Sequence, residues 1–350
     1  MTIPETYIRR CIELARRAAG YTAPNPMVGA VLVHNGRIIG EGYHKNYGGP
    51  HAEVNCIADV RPEDRHLING STLYVSLEPC AHYGKTPPCT ELIISNGIPV
   101  VVIGCQDPFG EVNGNGIARL KEAGVEVHCG VLEQECTELN RRFFTYHQQH
   151  RPYVVLKWAQ TADGKIGTGT ATRLMISNEI TNRLVHRWRS EEAAILVGTN
   201  TALLDNPGLN LRTWPGKDPV RMVVDMELRL PSNLKIFSKH QRTVIFNSIR
   251  HAEEDNILYY QVASDANLVD QVLNACIQLK IQSILVEGGA KLLQTFIDDG
   301  SWDEARVITN TTLIAGSGVP APVLTKATPV ATDYILNDQI TYFRRNEFQP

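Results

Sequence analysis

The chain has 350 residues, of which 43% are hydrophobic and 20% are charged, and its formal net charge is −3. This length favours two domains, and this composition is typical of a globular protein with full hydrophobic cores. The charge balance excludes a general nucleic-acid binder, which carries a basic excess, but it suits small anionic substrates. No uncharged apolar run approaches a membrane span of about 18 residues. We therefore expect neither a nucleic acid nor a membrane as a partner.

The first 20 residues predict an amphipathic helix and not a signal peptide, because Glu5 and Glu13 lie within the segment. Eight cysteines without a secretory signal indicate a reducing compartment. In such a compartment cysteine pairs more often bind metals than form disulfides. We therefore expect a cytoplasmic protein.

The next segments alternate between strand and helix patterns. MVGAVLVHNGRIIGEGYH (27–44) predicts a hairpin that turns at Asn35 and Gly36. HAEVNCIA (51–58) predicts a helix, and STLYVSLEP (71–79) has the alternation of a half-buried strand.

The same alternation continues to the end of the first domain. CTELIISNG (89–97) predicts a helix that ends at Gly97, and IPVVVIGC (98–105) predicts a strand covered on both faces. GEVNGNG (110–116) is interpreted as a loop, because it lacks the strand and helix of a dinucleotide fingerprint. A helix near residues 117–123 and the strand VEVHCG complete a predicted three-layer α/β domain.

The second half of the chain predicts another α/β domain. RRFFTYHQQHRP (141–152) is interpreted as a tether between domains at residues 1–146 and 152–350. Helices are predicted around residues 178–189 and 290–300. The predicted strands are YVVLKWA, AAILVG, RMVVD, TVIFN and SILVEGG.

One histidine and two cysteines form a candidate metal site in the first domain. His51 and Cys89 open predicted helices, and Cys80 follows a predicted strand. A helix start favours a thiolate at Cys89. One histidine and two cysteines at the ends of elements are typical of a catalytic zinc site with an open fourth position. His82 is the alternative fourth ligand of a closed, structural site.

Glu53 gains a possible role from this predicted metal. In nucleobase deaminases a glutamate outside the coordination shell moves protons for a water that zinc has acidified. A carboxylate in a first helical turn also occurs without any catalytic role, because it complements the helix dipole. The usual second half of the pattern is P-C-x-x-C, whereas AHYGKTPP separates the two cysteines here. Its polar side chains suit a phosphorylated substrate.

NPMVG, HAEVNCIA, LEPCAHYGKTPPC and IGCQDPF resemble the deaminase half of the bifunctional riboflavin-biosynthesis deaminase–reductases. The resemblance covers about residues 5–146. It implies a cytidine-deaminase-like fold, zinc ligands His51, Cys80 and Cys89, and Glu53 as the proton shuttle. The implied contacts to the pyrimidine and its ribosyl phosphate are Asn25, His44, His82, Lys85 and Thr86. From the residues alone, Asn25 also suits a turn, and His44 and Lys85 also suit a solvated loop.

The second domain has less specific patterns. ILVEGGAKLL places two glycines between a strand and a helix, which forms either a tight turn or a phosphate site at the helix N-terminus. Arg189 and Arg212 suit a phosphate or the protein surface. The loop 205–208 lies where α/β scaffolds carry sites.

YVVLKWAQTADGKI, AAILVGTNTALLDNPGLNLR, VRMVVD and LVEGGAKLLQTFI resemble the reductase half of the same family, to about residue 310. The resemblance implies a dihydrofolate-reductase-like fold that uses NADPH. The implied cofactor contacts are Ala159, Met175, Thr201, Asp205, Gly289, Ala290, Lys291, Leu292, Leu293, Gln294 and Thr295. The implied substrate contacts are Lys157, Arg173, Arg189, Leu209, Arg212 and Glu287. The chain departs from the family pattern at Arg173, Met175 and Met226.

The sequence thus predicts a cytoplasmic enzyme with zinc and NADPH as cofactors, and we expect a homo-oligomer. The resemblance implies deamination of 2,5-diamino-6-ribosylamino-4(3H)-pyrimidinone 5′-phosphate, then reduction of its ribosyl chain to give 5-amino-6-(5-phosphoribitylamino)uracil. One alternative is a zinc deaminase for another nucleotide whose second domain is inactive, which NADPH binding tests. Another is a zinc-stabilised binding module without turnover, which the coordination number tests.

Overall fold

A computed structural model of the chain describes residues 2–83, 87–110, 112–169 and 174–346. The chain divides into two compact units, Met1–His150 and Arg151–Pro350, called unit 1 and unit 2 below. Among the helices in the described ranges, none combines the length and the hydrophobicity that a membrane span requires. The predicted contacts Lys85, Thr86 and Arg173 lie outside the described residues.

Unit 1 is built on a five-stranded sheet. Its strands are β1 (Gly29–His34), β2 (Arg37–Tyr43), β3 (Thr72–Leu77), β4 (Val100–Cys105) and β5 (Glu126–Cys129). The order in the sheet is β2-β1-β3-β4-β5, with β3, β4 and β5 parallel and β1 antiparallel to both of its neighbours. Asn35, with φ 47°, lies in the tight turn between β1 and β2. The predicted hairpin is therefore confirmed.

Helices cover both faces of this sheet. They are α1 (Ile3–Arg16), α2 (Ala52–Ala58), α3 (Cys89–Ser95), α4 (Asn115–Glu122), α5 (Glu133–Leu139) and α6 (Arg141–Gln149), with a 3₁₀ helix at Pro62–Gly70. Residues of α1, α5 and α6 pack on one face, and residues of α2, α3 and α4 pack on the other. This confirms the predicted three layers. The prediction of a half-buried β3 is wrong, since both Tyr74 and Ser76 are buried.

The stretch that the sequence analysis interprets as a tether is largely helical. It forms α6, and Phe143 and Phe144 of this helix are both buried in the core of unit 1. Burying two aromatic side chains outweighs the polar composition of the segment. The adjacent phenylalanines were the sequence signal for a packed element.

Unit 2 is built on a ten-stranded sheet with the order β11-β12-β10-β9-β8-β13-β6-β14-β17-β16. The strands of unit 2 are β6 (Tyr153–Gln160), β7 (Lys165–Gly167), β8 (Ala194–Gly198), β9 (Val220–Val224), β10 (Thr243–Asn247), β11 (Ala252–Glu254), β12 (Ile257–Gln261), β13 (Ser283–Gly288), β14 (Glu304–Asn310), β15 (Val319–Pro320), β16 (Ala327–Ile335) and β17 (Asp338–Arg345). Of these, β7 and β15 form a separate two-stranded antiparallel sheet. The strands from β12 to β14 in this order run parallel, and β11, β17 and β16 are antiparallel additions at the edges.

Helices again cover both faces of the sheet. They are α7 (Glu179–Glu191), α8 (Thr199–Asp205), α9 (Leu268–Gln278) and α10 (Ala290–Asp299), with a 3₁₀ helix at Lys235–Phe237. Residues of α9 and α10 pack against one face, and residues of α7 and α8 pack against strand residues of the opposite parity. The predicted second α/β domain is confirmed. Its parallel strands end at a common edge, where α/β folds bind ligands.

Candidate functional sites

The histidine and the two cysteines predicted as metal ligands lie together in unit 1. His51 is the N-cap of α2, Cys89 begins α3, and Cys80 lies just after β3. Their ligating atoms lie within 4.8 Å of one another. His51 Nδ1 is 3.6 Å from Cys80 Sγ and 3.3 Å from Cys89 Sγ. The sheet and two helix starts thus bring three distant sequence positions to one point.

This donor set fits a zinc ion. Zinc–sulfur distances near 2.3 Å and zinc–nitrogen distances near 2.0 Å at tetrahedral angles put N and S ligands about 3.5 Å apart. Both measured N–S distances are close to this value. His82, the alternative fourth ligand, does not belong to this group of the described residues. Among the described residues the site thus offers three ligands, one fewer than a tetrahedral zinc takes.

The two thiols differ in their tendency to ionise. Hydrogen bonds from Cys89 and His51 outweigh burial and lower the pKa of Cys80 to about 4. The hydrogen bond with Cys80, together with burial, raises the pKa of the Cys89 thiol. This differs from the expectation that the start of α3 lowers the pKa of Cys89 and favours its thiolate. A bound cation supplies the positive charge that the second thiolate needs.

Glu53 lies beside these ligands but is not one of them. The residue is 3% exposed, and burial, together with the charge of Cys80, raises the pKa of its carboxyl. The Cys89 thiol is also a hydrogen-bond partner of this carboxyl. A carboxyl that protonates more easily than usual is suited to exchanging protons near neutral pH.

Asn25 and His44 form a fixed pair next to His51. His44 Nδ1 lies 3.0 Å from the carbonyl oxygen of Pro50, so it carries the proton and donates it. His44 Nε2 then accepts from Asn25 Nδ2 at 3.1 Å, and the ring packs edge-on against His51 at 5.5 Å. His44 is 2% exposed, which contradicts the alternative of a solvated loop.

His82 presents a buried polar atom without a partner. Its Nδ1 has no hydrogen bond among the described residues, and its ring packs against Phe109 with centroids 6.4 Å apart. Phe109 in turn packs against His147 of α6 at 5.1 Å. A buried ring nitrogen without a partner is suited to a ligand atom.

Glu78 connects the strand that leads to Cys80 with the loop before α4. The buried carboxylate accepts hydrogen bonds from four backbone N–H groups, those of Asp107, Gly114, Gly116 and Ile117. A Cβ at Gly116 would lie 2.0 Å from the Pro79 carbonyl oxygen, so this position needs glycine. Residues 112–114 of the GEVNGNG segment form a turn, as predicted, whereas Asn115 and Gly116 begin α4. Gly114 and Gly116 supply two of the four N–H groups that bind Glu78.

In unit 2, Arg189 and Glu287 bind each other. Arg189 Nε and Nη2 donate to the two carboxylate oxygens of Glu287 at 2.8 and 2.6 Å. Burial opposes the ionisation of Glu287, but the charges of Arg189 and Lys157 outweigh it and lower the pKa of the carboxyl. The alternative of a surface residue is therefore contradicted for Arg189. Three of the predicted substrate contacts, Lys157, Arg189 and Glu287, thus lie close together.

A cavity of about 280 Å³ lies beside this pair. It is lined by Arg189, Asp205, Asn206, Pro207, Gly208, Leu209, Arg212 and Lys235. The structure brings the predicted substrate contacts Arg189, Leu209 and Arg212 together here with Asp205, which the resemblance implies as a cofactor contact. Leu209 is 2% exposed and has φ 51°, an uncommon conformation for a branched side chain that is often found at functional sites.

His186 is a functional candidate that was not predicted from the sequence, although it precedes Arg189 by one turn of α7. Its Nδ1 lies 3.4 Å from the Arg212 backbone nitrogen, and its Nε2 lies 3.5 Å from Arg212 Nη2. Burial, then the charges of Arg189 and Arg212, lower the pKa of His186 to about 4. The ring is therefore neutral near pH 7 and holds the loop that carries Arg212.

Thr201 and the start of α10 lie at the carboxyl ends of β8 and β13. A Cβ at Gly288 would lie 2.7 Å from Thr201 Cγ2, so the chain segments approach closely here. Gly289 is the N-cap of α10, with φ 80°. Ala159 lies near the end of β6, Met175 is exposed, and Leu292 and Leu293 are buried in the core. Open backbone N–H groups at a helix start suit a phosphate of NADPH.

Comparisons with known proteins match both units. Residues 1–105 match the cytidine and deoxycytidylate deaminase zinc-binding region, and residues 152–331 match the RibD C-terminal domain. The chain is 40% identical to riboflavin biosynthesis protein RibD of Aquifex aeolicus, over 86% of this chain and 85% of that protein. It is 39% identical to RibD of Actinobacillus pleuropneumoniae, over 91% of this chain and 86% of that protein.

A solved structure from Thermotoga maritima resembles the chain over nearly its full length. That protein is described as a diaminohydroxyphosphoribosylaminopyrimidine deaminase/5-amino-6-(5-phosphoribosylamino)uracil reductase. The TM-score is 0.89 at 38% identity, covering 98% of this chain and 99% of that one. The predicted fold class, a cytidine-deaminase-like unit followed by a dihydrofolate-reductase-like unit, is confirmed.

The fold and the His51, Cys80 and Cys89 cluster define a zinc-dependent deaminase joined to an NADPH-dependent reductase. Within this class, the chain is 40% identical to a RibD protein over most of both chains, which identifies its family. The chain belongs to the RibD family of riboflavin biosynthesis proteins.

Proposed function

We propose that the chain catalyses two successive steps of riboflavin biosynthesis on one phosphorylated pyrimidine. Unit 1 removes the ring amino group of 2,5-diamino-6-ribosylamino-4(3H)-pyrimidinone 5′-phosphate by hydrolysis. Unit 2 then reduces the ribosyl side chain to give 5-amino-6-(5-phosphoribitylamino)uracil. The observation that carries this proposal is the three-ligand cluster with Glu53 beside it. The match of unit 2 to the RibD C-terminal domain supports the second step.

In unit 1, His51, Cys80 and Cys89 would hold the zinc, which when bound would supply the acidity that makes water a nucleophile near neutral pH. Glu53 would take a proton from water in this site and deliver it to the amino group that leaves as ammonia. The Asn25–His44 pair and the open Nδ1 of His82 orient the pyrimidine. Lys85 and Thr86 are proposed contacts of the ribosyl phosphate.

In unit 2, the segment 289–295 with Ala159, Met175, Thr201 and Asp205 would hold NADPH, which when bound would supply the hydride. Arg212 binds the substrate phosphate in the cavity that Leu209 helps to line. Arg189 keeps Glu287 ionised, so that Glu287 and Lys157 face the sugar hydroxyls as an acceptor and a donor. Arg173 is proposed as a further substrate contact.

The two activities are tested with the zinc-loaded full chain and the diaminopyrimidine substrate. Ammonia release is measured with and without NADPH, and again after a chelator has removed the metal. We expect ammonia release in both zinc-loaded samples and little ammonia release after chelation. Ammonia release that survives complete loss of zinc would refute the deaminase mechanism.

We also propose a homo-oligomer that works in the cytoplasm. The free state of all eight cysteines supports a reducing compartment. The edge strand β16 is nine residues long, and its Val330 and Tyr334 are 56% and 71% exposed. Such an edge suits pairing with a second copy. Sedimentation of the wild type against a Val330→Lys variant tests this assembly.

A further inference from the structure

Lys235 brings a third positive side chain to the cavity that Arg189 and Arg212 line. Its backbone is fixed on both sides. The Lys235 N–H donates to Asn206 Oδ1 at 2.8 Å, and its carbonyl oxygen accepts from Arg221 Nη1 at 2.8 Å. Because Arg221 is buried and Asn206 belongs to the cavity loop, the backbone of Lys235 is anchored at the cavity wall. Its long side chain can still change conformation.

The charges of the cavity favour an anion. Asp205 is the one lining carboxylate among the described residues, against three lining cations. The charge of Arg189 is already neutralised by Glu287 at 2.6 Å. Lys235 forms no ion pair within the described part of the chain, whereas Lys239, four residues later, pairs with Asp255. The ammonium of Lys235 is therefore available to a ligand.

The cavity also has the size of a part of the substrate. Whole ligands usually occupy roughly 300–1,000 Å³, and this cavity measures about 280 Å³. It suits the phosphate and the adjoining sugar carbons better than the complete pyrimidine nucleotide. A phosphate dianion offers oxygens to two cations at once, one on the loop 206–212 and one on the 3₁₀ helix.

We propose that Lys235 is a further substrate-binding residue of the reductase site, and that its ammonium and Arg212 bind the substrate phosphate from two sides. This rests on the proposed function of unit 2. Lysine acts as a mobile point charge and makes no planar fork. Since Lys235 is exposed, we expect a smaller effect than for Arg212, about three- to fivefold in affinity.

The test uses the full chain with Lys235→Met, Lys235→Arg and the matched control Lys239→Met. Calorimetry gives the Kd of inorganic phosphate, and any binding in unit 1 is common to all variants, so it cancels in the comparison. NADPH oxidation gives KM for the deaminated substrate with and without its phosphate. We expect Lys235→Met to raise the phosphate Kd and the KM of the phosphorylated substrate about three- to fivefold.

The controls separate charge from structure. Lys235→Arg should stay within about twofold of the wild type, and so should Lys239→Met, since such surface substitutions cost little. Lys235→Met should leave the KM of the dephosphorylated substrate unchanged. An unchanged phosphate Kd in Lys235→Met overturns the proposal, and so does an equal rise of KM for both substrates. If the wild type does not oxidise NADPH at all, the proposed function fails, and the phosphate Kd still decides the role of Lys235.

Discussion

The two candidate sites differ in what holds their side chains. In unit 1, His51 and Cys89 begin helices packed on a central sheet, and hydrogen bonds fix His44 and Glu78 around them. In unit 2, Arg212 lies on a loop that one histidine holds through two long contacts. We infer that chemistry near a metal requires fixed geometry, whereas a loop can adapt to a large phosphorylated substrate. The following predictions test this difference.

The largest effect is expected at the fixed site. Glu53→Gln should lower ammonia release at least about 100-fold, the low end for general acid–base catalysis. Zinc content should stay near one equivalent, because the carboxyl is not among the ligands. Metal analysis and an ammonia assay check both points, and NADPH oxidation with the deaminated substrate serves as the control. Loss of zinc in this variant would make Glu53 a ligand.

In unit 2, Arg212→Ala should raise the reductase KM for the phosphorylated substrate. A charge-assisted hydrogen bond contributes about 1.5–3 kcal/mol, which corresponds to roughly 10- to 150-fold in affinity. Deamination should not change, and Arg212→Lys should recover part of the loss, since lysine supplies charge without the planar fork. A KM within about twofold of the wild type would remove Arg212 from the phosphate site.

Glu78 tests whether the fixed site depends on its surroundings. Glu78→Gln replaces one acceptor oxygen by a donor that faces two backbone N–H groups, so about 2 kcal/mol of the free energy of unfolding should be lost. Urea denaturation of the zinc-loaded chain measures the change. Glu91→Gln, which breaks an exposed pair with Arg119, is the control and should lose well under half of that. Equal losses in the two variants would mean that the buried network contributes nothing special.

His186 allows a test of unit 2 through the pH dependence of stability. The folded state holds the pKa of this ring near 4, below its ordinary value of 6.5. The unfolded chain therefore binds a proton between pH 6.5 and 4 that the folded chain does not, and stability falls as the pH falls through this window. In His186→Asn that part of the pH dependence should disappear, and KM for the phosphorylated substrate should rise severalfold. Identical pH profiles of urea denaturation for the two proteins would exclude this role.

The smallest effect is expected from separating the units. Residues 1–150 expressed alone should bind one equivalent of zinc like the full chain, since α6 completes the core of unit 1. A shorter fragment that ends at residue 140 lacks Phe143 and Phe144 and should be much less stable. Zinc content and circular dichroism compare the two fragments. An unfolded 1–150 fragment would show that unit 1 depends on unit 2.

How far the sequence predicts each site follows from the same difference. The predicted zinc ligands of unit 1 lie at the ends of helices and strands. The periodicity of these elements predicted the three layers, and the H-A-E and P-C patterns predicted the ligand cluster. The burial of β3 on both faces and the helix α6 were not predicted, because local patterns do not show which faces tertiary packing covers. Glu78 was missed because its four partners lie 29 to 39 residues away.

In unit 2 the sequence predicted five strands of the ten-stranded sheet, which are β6, β8, β9, β10 and β13. The resemblance implied Arg189, Leu209 and Arg212. It did not indicate that Arg189 binds Glu287 across 98 residues, nor that Lys235 reaches the same cavity. Contacts between loops depend on the complete fold, so no spacing rule contains them. His186 had a usable signal, since residues three apart on a helix share a face.

The central claim is that one chain performs deamination and then reduction on the same molecule. The most direct test is the ratio of NADPH oxidised to ammonia released when the zinc-loaded chain converts the diaminopyrimidine to completion. We expect one NADPH per ammonia, with ammonia appearing first and also appearing without NADPH. NADPH oxidation without ammonia release, or complete deamination that never consumes NADPH, would contradict it.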